Sequence, residues 1–277
     1  MVRTGSTPRG SGARLIAGLV AVLGSISVAS AATINFTNAG GSGSYGNSLT
    51  FANGGISVTV SAWAETGSQT PANSGYYLFQ TAQVWSWSTG LGICNRNEGT
   101  ANNSCDNNEH ELDSVGRDDL MVFYFDQVVN FANLQVTVDP YDGSGSDPND
   151  RDVRYWVSTV GAAPNLGTFT FNTLSPTFGT GFLSPASSSY NPITHNLAGG
   201  SGGALTGNLL LISGNYLNRN CTNSNISGDS ECEAYKITSL TVSMVPVPAA
   251  LWMFGPALGV LGWARYRGKQ VPVLRFR

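Results

Sequence analysis

Between residues 32 and 244 the apolar side chains recur in short runs of period two, not in the 3.6-residue period of a helix. Residues 56–63, 133–138 and 236–242 alternate apolar with polar positions, which sets one face of each strand on a core and the other in water. Further β-rich runs occupy 76–87, 120–125, 153–160, 167–171 and 209–212, each bounded by Gly, Asn, Ser or Pro clusters. No amphipathic pattern of three helical turns occurs. Eight strands separated by turn-rich loops, in a chain holding 34 Gly, predict an all-β domain over 32–244, an antiparallel β-sandwich or jelly roll. Residues 37–46 and 198–207 are Gly/Ser-rich and read as loops.

The two ends follow a different pattern. Arg3, Arg9 and Arg14 precede an apolar run over 15–28, and Ala29-Ser30-Ala31 supplies the small residues a signal peptidase accepts. Residues 1–31 therefore read as a signal peptide cleaved after Ala31 or Ala32; the run of 14 residues is short for a membrane span. At the other end Val245-Pro246-Val247-Pro248-Ala249 opens an apolar stretch to Ala264, 20 residues counted from Val245. At about 1.5 Å per residue that length crosses a hydrocarbon core. Arg265, Arg267 and Lys269 follow, and the positive-inside rule leaves them in the cytoplasm with the rest of the protein outside.

This order of parts resembles the PEP-CTERM sorting signal: a Pro-containing motif, a transmembrane helix and a basic tail over 245–277. The resemblance rests on Val245-Pro246-Val247-Pro248-Ala249-Ala250-Leu251-Trp252-Met253-Phe254-Gly255 and on Leu261-Gly262-Trp263-Ala264-Arg265. Val247 stands where Glu is usual, and ten further residues, Gly268 to Arg277, make the tail longer than usual. The resemblance implies a protein exported by a Gram-negative bacterium. Its precursor is anchored in the inner membrane and processed by an exosortase, and the product reaches the cell surface or extracellular matrix. A second likeness to this family lies in Gly90-Leu91-Gly92-Ile93, His110-Glu111-Leu112-Asp113-Ser114-Val115-Gly116-Arg117-Asp118-Asp119 and Phe123-Tyr124-Phe125-Asp126. There a Gly-Leu-Gly-Val loop, a His-x-Val-Asp-Asn-x-Gly and a Phe-x-Phe-Asp strand occur in series; the likeness implies a surface β domain and no catalytic residue.

Charge sharpens the division. All 17 acids fall in 32–244 with six basic residues, so that segment carries −11 while the whole chain reads −3. An acidic domain without a basic stripe is a poor partner for nucleic acid. Its four cysteines lie in two similar loops, Cys94 to Cys105 and Cys221 to Cys232, each enclosing ten residues. In an oxidising compartment the matching loops favour those two pairings, each contributing roughly 2–3 kcal/mol. Zinc is the alternative, weakened by the lack of Cys-x-x-Cys and of paired His.

Thirteen of the acids sit between Cys94 and Asp152. They form the clusters Glu109, Glu111 and Asp113; Asp118 and Asp119; and Asp139, Asp142, Asp147, Asp150 and Asp152. In extended backbone Glu109, Glu111 and Asp113 share a face, and like charges packed this way either stay solvated or hold a cation. Calcium fits, taking six to eight oxygens at about 2.3–2.6 Å, though 139–152 is not an EF-hand. Trp85-Ser86-Trp87 puts two indoles on one face of a strand, and Trp63, Tyr141, Tyr155 and Trp156 lie in or near others. Such rings fill a core or, when exposed, stack on sugars.

Enzyme chemistry has little to draw on. Gly199-Gly200-Ser201-Gly202-Gly203 matches a nucleophile-elbow spacing, but no His follows Ser201, the histidines being His110 and His195. Paired acids such as Asp118 and Asp119 would serve a glycosidase only at the right separation. The expected function is a structural or adhesive one in an exopolysaccharide or biofilm layer, not an enzymatic one. A carbohydrate-binding module using Trp85 and Trp87 is the alternative, and a glycan-active enzyme a more distant one.

Overall fold

The computed structural model describes residues 30–41, 48–67, 75–96, 111–113, 117–137, 151–185, 192–197, 205–214 and 234–245, with Leu258, Gly259 and Arg265 besides. The described strands are β1 (Ala31–Asn35), β2 (Gly40–Gly41), β3 (Leu49–Asn53), β4 (Ile56–Glu65), β5 (Phe79–Trp87), β6 (Gly90–Cys94), β7 (Leu112–Asp113), β8 (Asp119–Thr137), β9 (Val153–Ser158), β10 (Phe182–Ser184), β11 (Ile193–Asn196), β12 (Leu205–Ser213) and β13 (Ala234–Met244). One short helix, α1 (Phe171–Phe178), lies between β9 and β10. The fold is all-β, as expected, and its strands belong to one compact unit, Ala29–Pro246.

Pairing closes five of the strands into a ring. β4 pairs β5, β5 pairs β6, β6 pairs β13, β13 pairs β8, and β8 returns to β4, every pair antiparallel. β8 makes this closure possible because it is long enough to serve two partners on one side. Its first part pairs β4 from Asp119 to Phe125, and its second pairs β13 from Val129 to Thr137. Between them the register of β12 against β8 shifts, from Gly207 opposite Val129 to Leu209 opposite Tyr124. The β-rich run at 120–125 and the alternation at 133–137 therefore belong to one bent strand rather than two. From β8 the sheet continues outward through β12, β9 and β10, while β1 extends it beyond β13.

The interior face carries Val58, Val60, Ala82, Val84, Leu91, Ile93, Met121, Phe123, Phe125, Leu210, Ile212, Ile237, Leu240 and Val242, all in one buried cluster. Phe36 lies inside this cluster with Phe51 5.0 Å and Phe123 5.4 Å away. A second cluster lies on the other face of β4, β8, β12 and β9, where Trp63, Leu120, Val122, Trp156, Leu209 and Leu211 meet Phe171, Leu174 and Phe178 of α1. That sheet is thus apolar on both faces, which is why 209–212 reads as an unbroken apolar run.

Residues 167–171, expected as a strand, form a turn and the start of α1. The alternation of Phe169 and Phe171 is real, but both rings face the second cluster: Phe169 lies 5.5 Å from Phe178 and Phe171 lies 4.8 Å from Phe79. The local chemistry favours a helix start, because the Thr170 N–H donates to Thr173 Oγ1 at 2.8 Å, half of a capping box. Gly179, at φ 94°, ends the helix. The indole N–H of Trp156 donates to Ser175 Oγ at 3.1 Å and fixes the helix to β9.

The expected wet face of 236–242 is also corrected. Lys236 is 1% exposed, since β13 has neighbours along both edges and its outer face is covered at that point. Gly90 to Ile93, a loop in the family pattern, is strand β6 here. Among the described residues no helix is long and apolar enough to cross a membrane; the expected span falls outside them except at Val245, Leu258 and Gly259.

Candidate functional site

The hairpin of β5 and β6 brings Trp85 and Trp87 onto the outer face of the ring, where both are half-buried. Their rings are near-parallel, 29° apart with centroids at 5.8 Å. On one side β2 pairs with β5, Gly41 opposite Trp85, and a Cβ on Gly41 would run into the Trp85 ring. On the other side a Cβ on Gly90 would stand 2.7 Å from the Ile237 carbonyl and 3.3 Å from Lys236 Cβ, so β6 and β13 approach closely only because glycine is there. Across that gap Lys236 Nζ sits 4.5 Å from the centroid of the Trp87 ring, a cation–π contact.

Lys236 is the only lysine in 32–244, and it is buried. Burial pushes its pKa down to about 8, and the nearby Glu111 carboxylate opposes that shift by favouring the charged form. Glu111 is itself buried, held where the Ile93 N–H donates to its carbonyl at 3.4 Å and where β7 pairs β13, Ala234 opposite Asp113. Lys236 therefore interacts with both Trp87 and Glu111. Periodicity gave no sign of it. The one available signal was a lone lysine in a strongly acidic segment, which calls for a carboxylate partner.

Some of the acids expected to share a cation site lie among the described residues. Glu111 faces Lys236, not a surface cluster. Asp118 and Asp119 are buried beside the end of β4, where the Glu65 N–H donates to the Asp118 carbonyl at 3.1 Å. Asp113 lies in β7, and Asp152 is half-buried just before β9. Among the described residues no three His, Cys, Asp or Glu side chains come together as a metal site. Glu109, Asp139, Asp142, Asp147 and Asp150 lie outside the described residues, as do His110, Ser201 and Tyr141. Cys94 is disulfide-bonded. Cys105, Cys221 and Cys232 lie outside, and so do Pro246, Val247, Pro248, Ala249, Arg267 and Lys269.

Trp63, Tyr155 and Trp156 are core residues. The Tyr155 hydroxyl donates to the Leu197 carbonyl at 2.9 Å, tying β9 to the end of β11, and burial raises its pKa. Near this tie sits a second polar group not foreseen from the sequence. His195 of β11 is 2% exposed, its Nδ1 is 3.0 Å from Ser184 Oγ of β10, and its pKa falls to about 4 through burial and the charge of Arg151. Arg151 is wholly buried at the entry to β9.

Comparison of the chain with protein-family models, curated proteins and solved structures finds no match.

Proposed function

We propose that the chain is an exported surface or extracellular-matrix protein of a Gram-negative bacterium, with a structural or adhesive role in an exopolysaccharide layer. On this reading a signal peptide over 1–31 directs export, the apolar segment from Val245 anchors the precursor in the inner membrane, and an exosortase reads Val245, Pro246, Val247, Pro248 and Ala249. The observation that carries it is the order of Pro-x-Pro-Ala-Ala-Leu-Trp, apolar run and basic Arg265, Arg267 and Lys269. Two features support it. β13 ends at Met244, so every described strand precedes the motif. The disulfide at Cys94 suits an oxidising compartment, where we assign the pairs Cys94–Cys105 and Cys221–Cys232. We read the architecture as a β-sandwich built around the five-strand ring. Comparing the protein's location in cells with and without the exosortase tests the reading: retention in the inner membrane only without the enzyme is the expected result.

The half-exposed Trp85 and Trp87 favour a second reading, a carbohydrate-binding module. Gly41 and Lys236 flank the pair and leave part of each ring to a sugar. Binding on a glycan array, abolished by Trp85→Ala with Trp87→Ala, would favour the module over a passive matrix component.

A further inference from the structure

We infer that the corner of the domain formed by the end of β13, the β3–β4 turn and the bend of β8 rests on the lipid surface of the inner membrane while the precursor is anchored. The inference builds on the sorting reading above. Four pieces of chain meet at this corner. Met244 ends β13 opposite Val129, and its methyl group lies 3.4 Å from where a Cβ on Gly55 would stand. Gln127 donates from Nε2 to the Gly55 carbonyl at 3.1 Å, and the Ser57 N–H donates to Asp126 Oδ1 at 3.2 Å, so the β8 bend clasps the β3–β4 turn. The start of β1 joins them: Ala31 is opposite Ser243, and Asn53 donates from Nδ2 to the Thr33 carbonyl at 2.8 Å.

Tethering, exposure and charge all point to lipid as the partner. The apolar stretch expected to cross the bilayer is counted from Val245, the residue directly after β13. Even counted from Ala249, after the Pro-Val-Pro motif, the five residues from Met244 cover at most about 18 Å, so the tether holds this corner within reach of the headgroup layer, which is roughly 5–8 Å deep on each side. The signal peptide, before its removal, leads into the same corner at Ala31. Val128, Met244 and Val245 are exposed there, at 37, 36 and 37%, beside Gly54 and Gly55. Asp126 is the one charged residue among 31–33, 53–57, 126–129 and 243–245. Apolar residues seated at the headgroup boundary favour contact with lipid over water.

Leu183 provides a matched control. It is exposed to the same degree, 38%, but pairs with Arg154, which is opposite Ser213, one residue beyond the Ile212 that faces Met121 near the start of β8. Seven residues of strand, about 20 Å, separate Met121 from Val128. The full-length chain is made in cells lacking the exosortase and reconstituted in vesicles of phosphatidylethanolamine and phosphatidylglycerol. Val128→Cys and Leu183→Cys are labelled separately with an environment-sensitive fluorophore, and lipids carrying a headgroup spin label serve as quenchers. Several-fold stronger quenching at position 128 than at 183 is expected. Equal quenching, in protein that resists carbonate extraction, would overturn the docked corner while leaving the anchor intact. Protein that washes off the vesicles would instead overturn the sorting reading and this inference with it. Unchanged near-ultraviolet circular dichroism of both variants confirms that the label reports on a folded domain.

Discussion

Behind β4, β8, β12 and β9 the sheet is covered by a helix, whereas behind β5, β6 and β13 the ring is covered by two tryptophans and a buried lysine. The first covering is apolar throughout: Phe171, Leu174 and Phe178 of α1 lie on Trp156, Leu209 and Leu211. The second is narrower and mixed, with Trp85 and Trp87 side by side, Lys236 against Trp87, and Glu111 supplying the counter-charge. A helix seals a sheet against water and leaves its outer surface for solvent. A strip of half-buried indoles over an internal charge pair leaves aromatic surface within reach of a ligand, so of these two described faces the second is the one that offers it.

The two coverings should fail differently. Trp156→Ala removes a large buried ring and its bond to Ser175, and should cost about 3–5 kcal/mol in urea unfolding, with no single second substitution to restore it. Lys236→Met should cost a similar amount, about 3 kcal/mol, because it leaves the Glu111 carboxylate buried without its counter-charge. Adding Glu111→Gln to that variant should recover most of the loss. Absence of that rescue would mean that Lys236 acts through its packing on Trp87 and not through charge.

Acid should act elsewhere, at the tie between β10 and β11. The folded-state pKa of His195, about 4, lies below its unfolded value of 6.5, so between those values the unfolded chain binds a proton that the folded chain refuses. The stability held by neutral His195 is complete above pH 6.5 and is lost as pH falls towards 4, at most about 3 kcal/mol. Unfolding followed at pH 7 and pH 4.5 should show the loss, and His195→Gln should flatten it. A slope unchanged in that variant would assign the acid sensitivity to carboxylates.

Much of the ring could be read from period-two alternation, because strands such as the start of β4 and the second half of β8 bury one face and their side chains say so. The rest depended on neighbours distant in the chain. Asp126 and Gln127 break the apolar pattern and suggest a loop between two strands, yet they are the bend of a single strand whose polar groups clasp the β3–β4 turn. Thr168 to Phe171 alternates like a strand but forms a turn and the start of a helix, fixed by Thr170 and Thr173. β6 was hidden by Gly90 and Gly92, which are poor strand formers, and the approach of β13 requires glycine at position 90. The interaction of Lys236 with Glu111 depends on the β7–β13 pairing beside it, which no local pattern encodes.

The calcium reading is the smallest of the expected effects on stability and contrasts the described walls with the acidic stretch between β8 and β9. A cation that binds only the folded arrangement adds about 2.7 kcal/mol at one hundred times its Kd. Millimolar calcium should raise the melting temperature of the exported protein by several degrees, magnesium should do less, and Asp150→Asn with Asp152→Asn should abolish most of the rise. No shift after chelation at constant ionic strength would leave those acids as a solvated surface.

The central claim is that the segment over 245–277 is an address, removed beyond about Pro248 once read, and mass spectrometry of the surface fraction tests it most directly. From a strain with active exosortase the account predicts a protein that begins at Ala32 or Thr33 and has lost the residues beyond about Pro248, with Pro246→Ala and Pro248→Ala together trapping the precursor in the inner membrane. Surface protein that still carries Arg277 would contradict it.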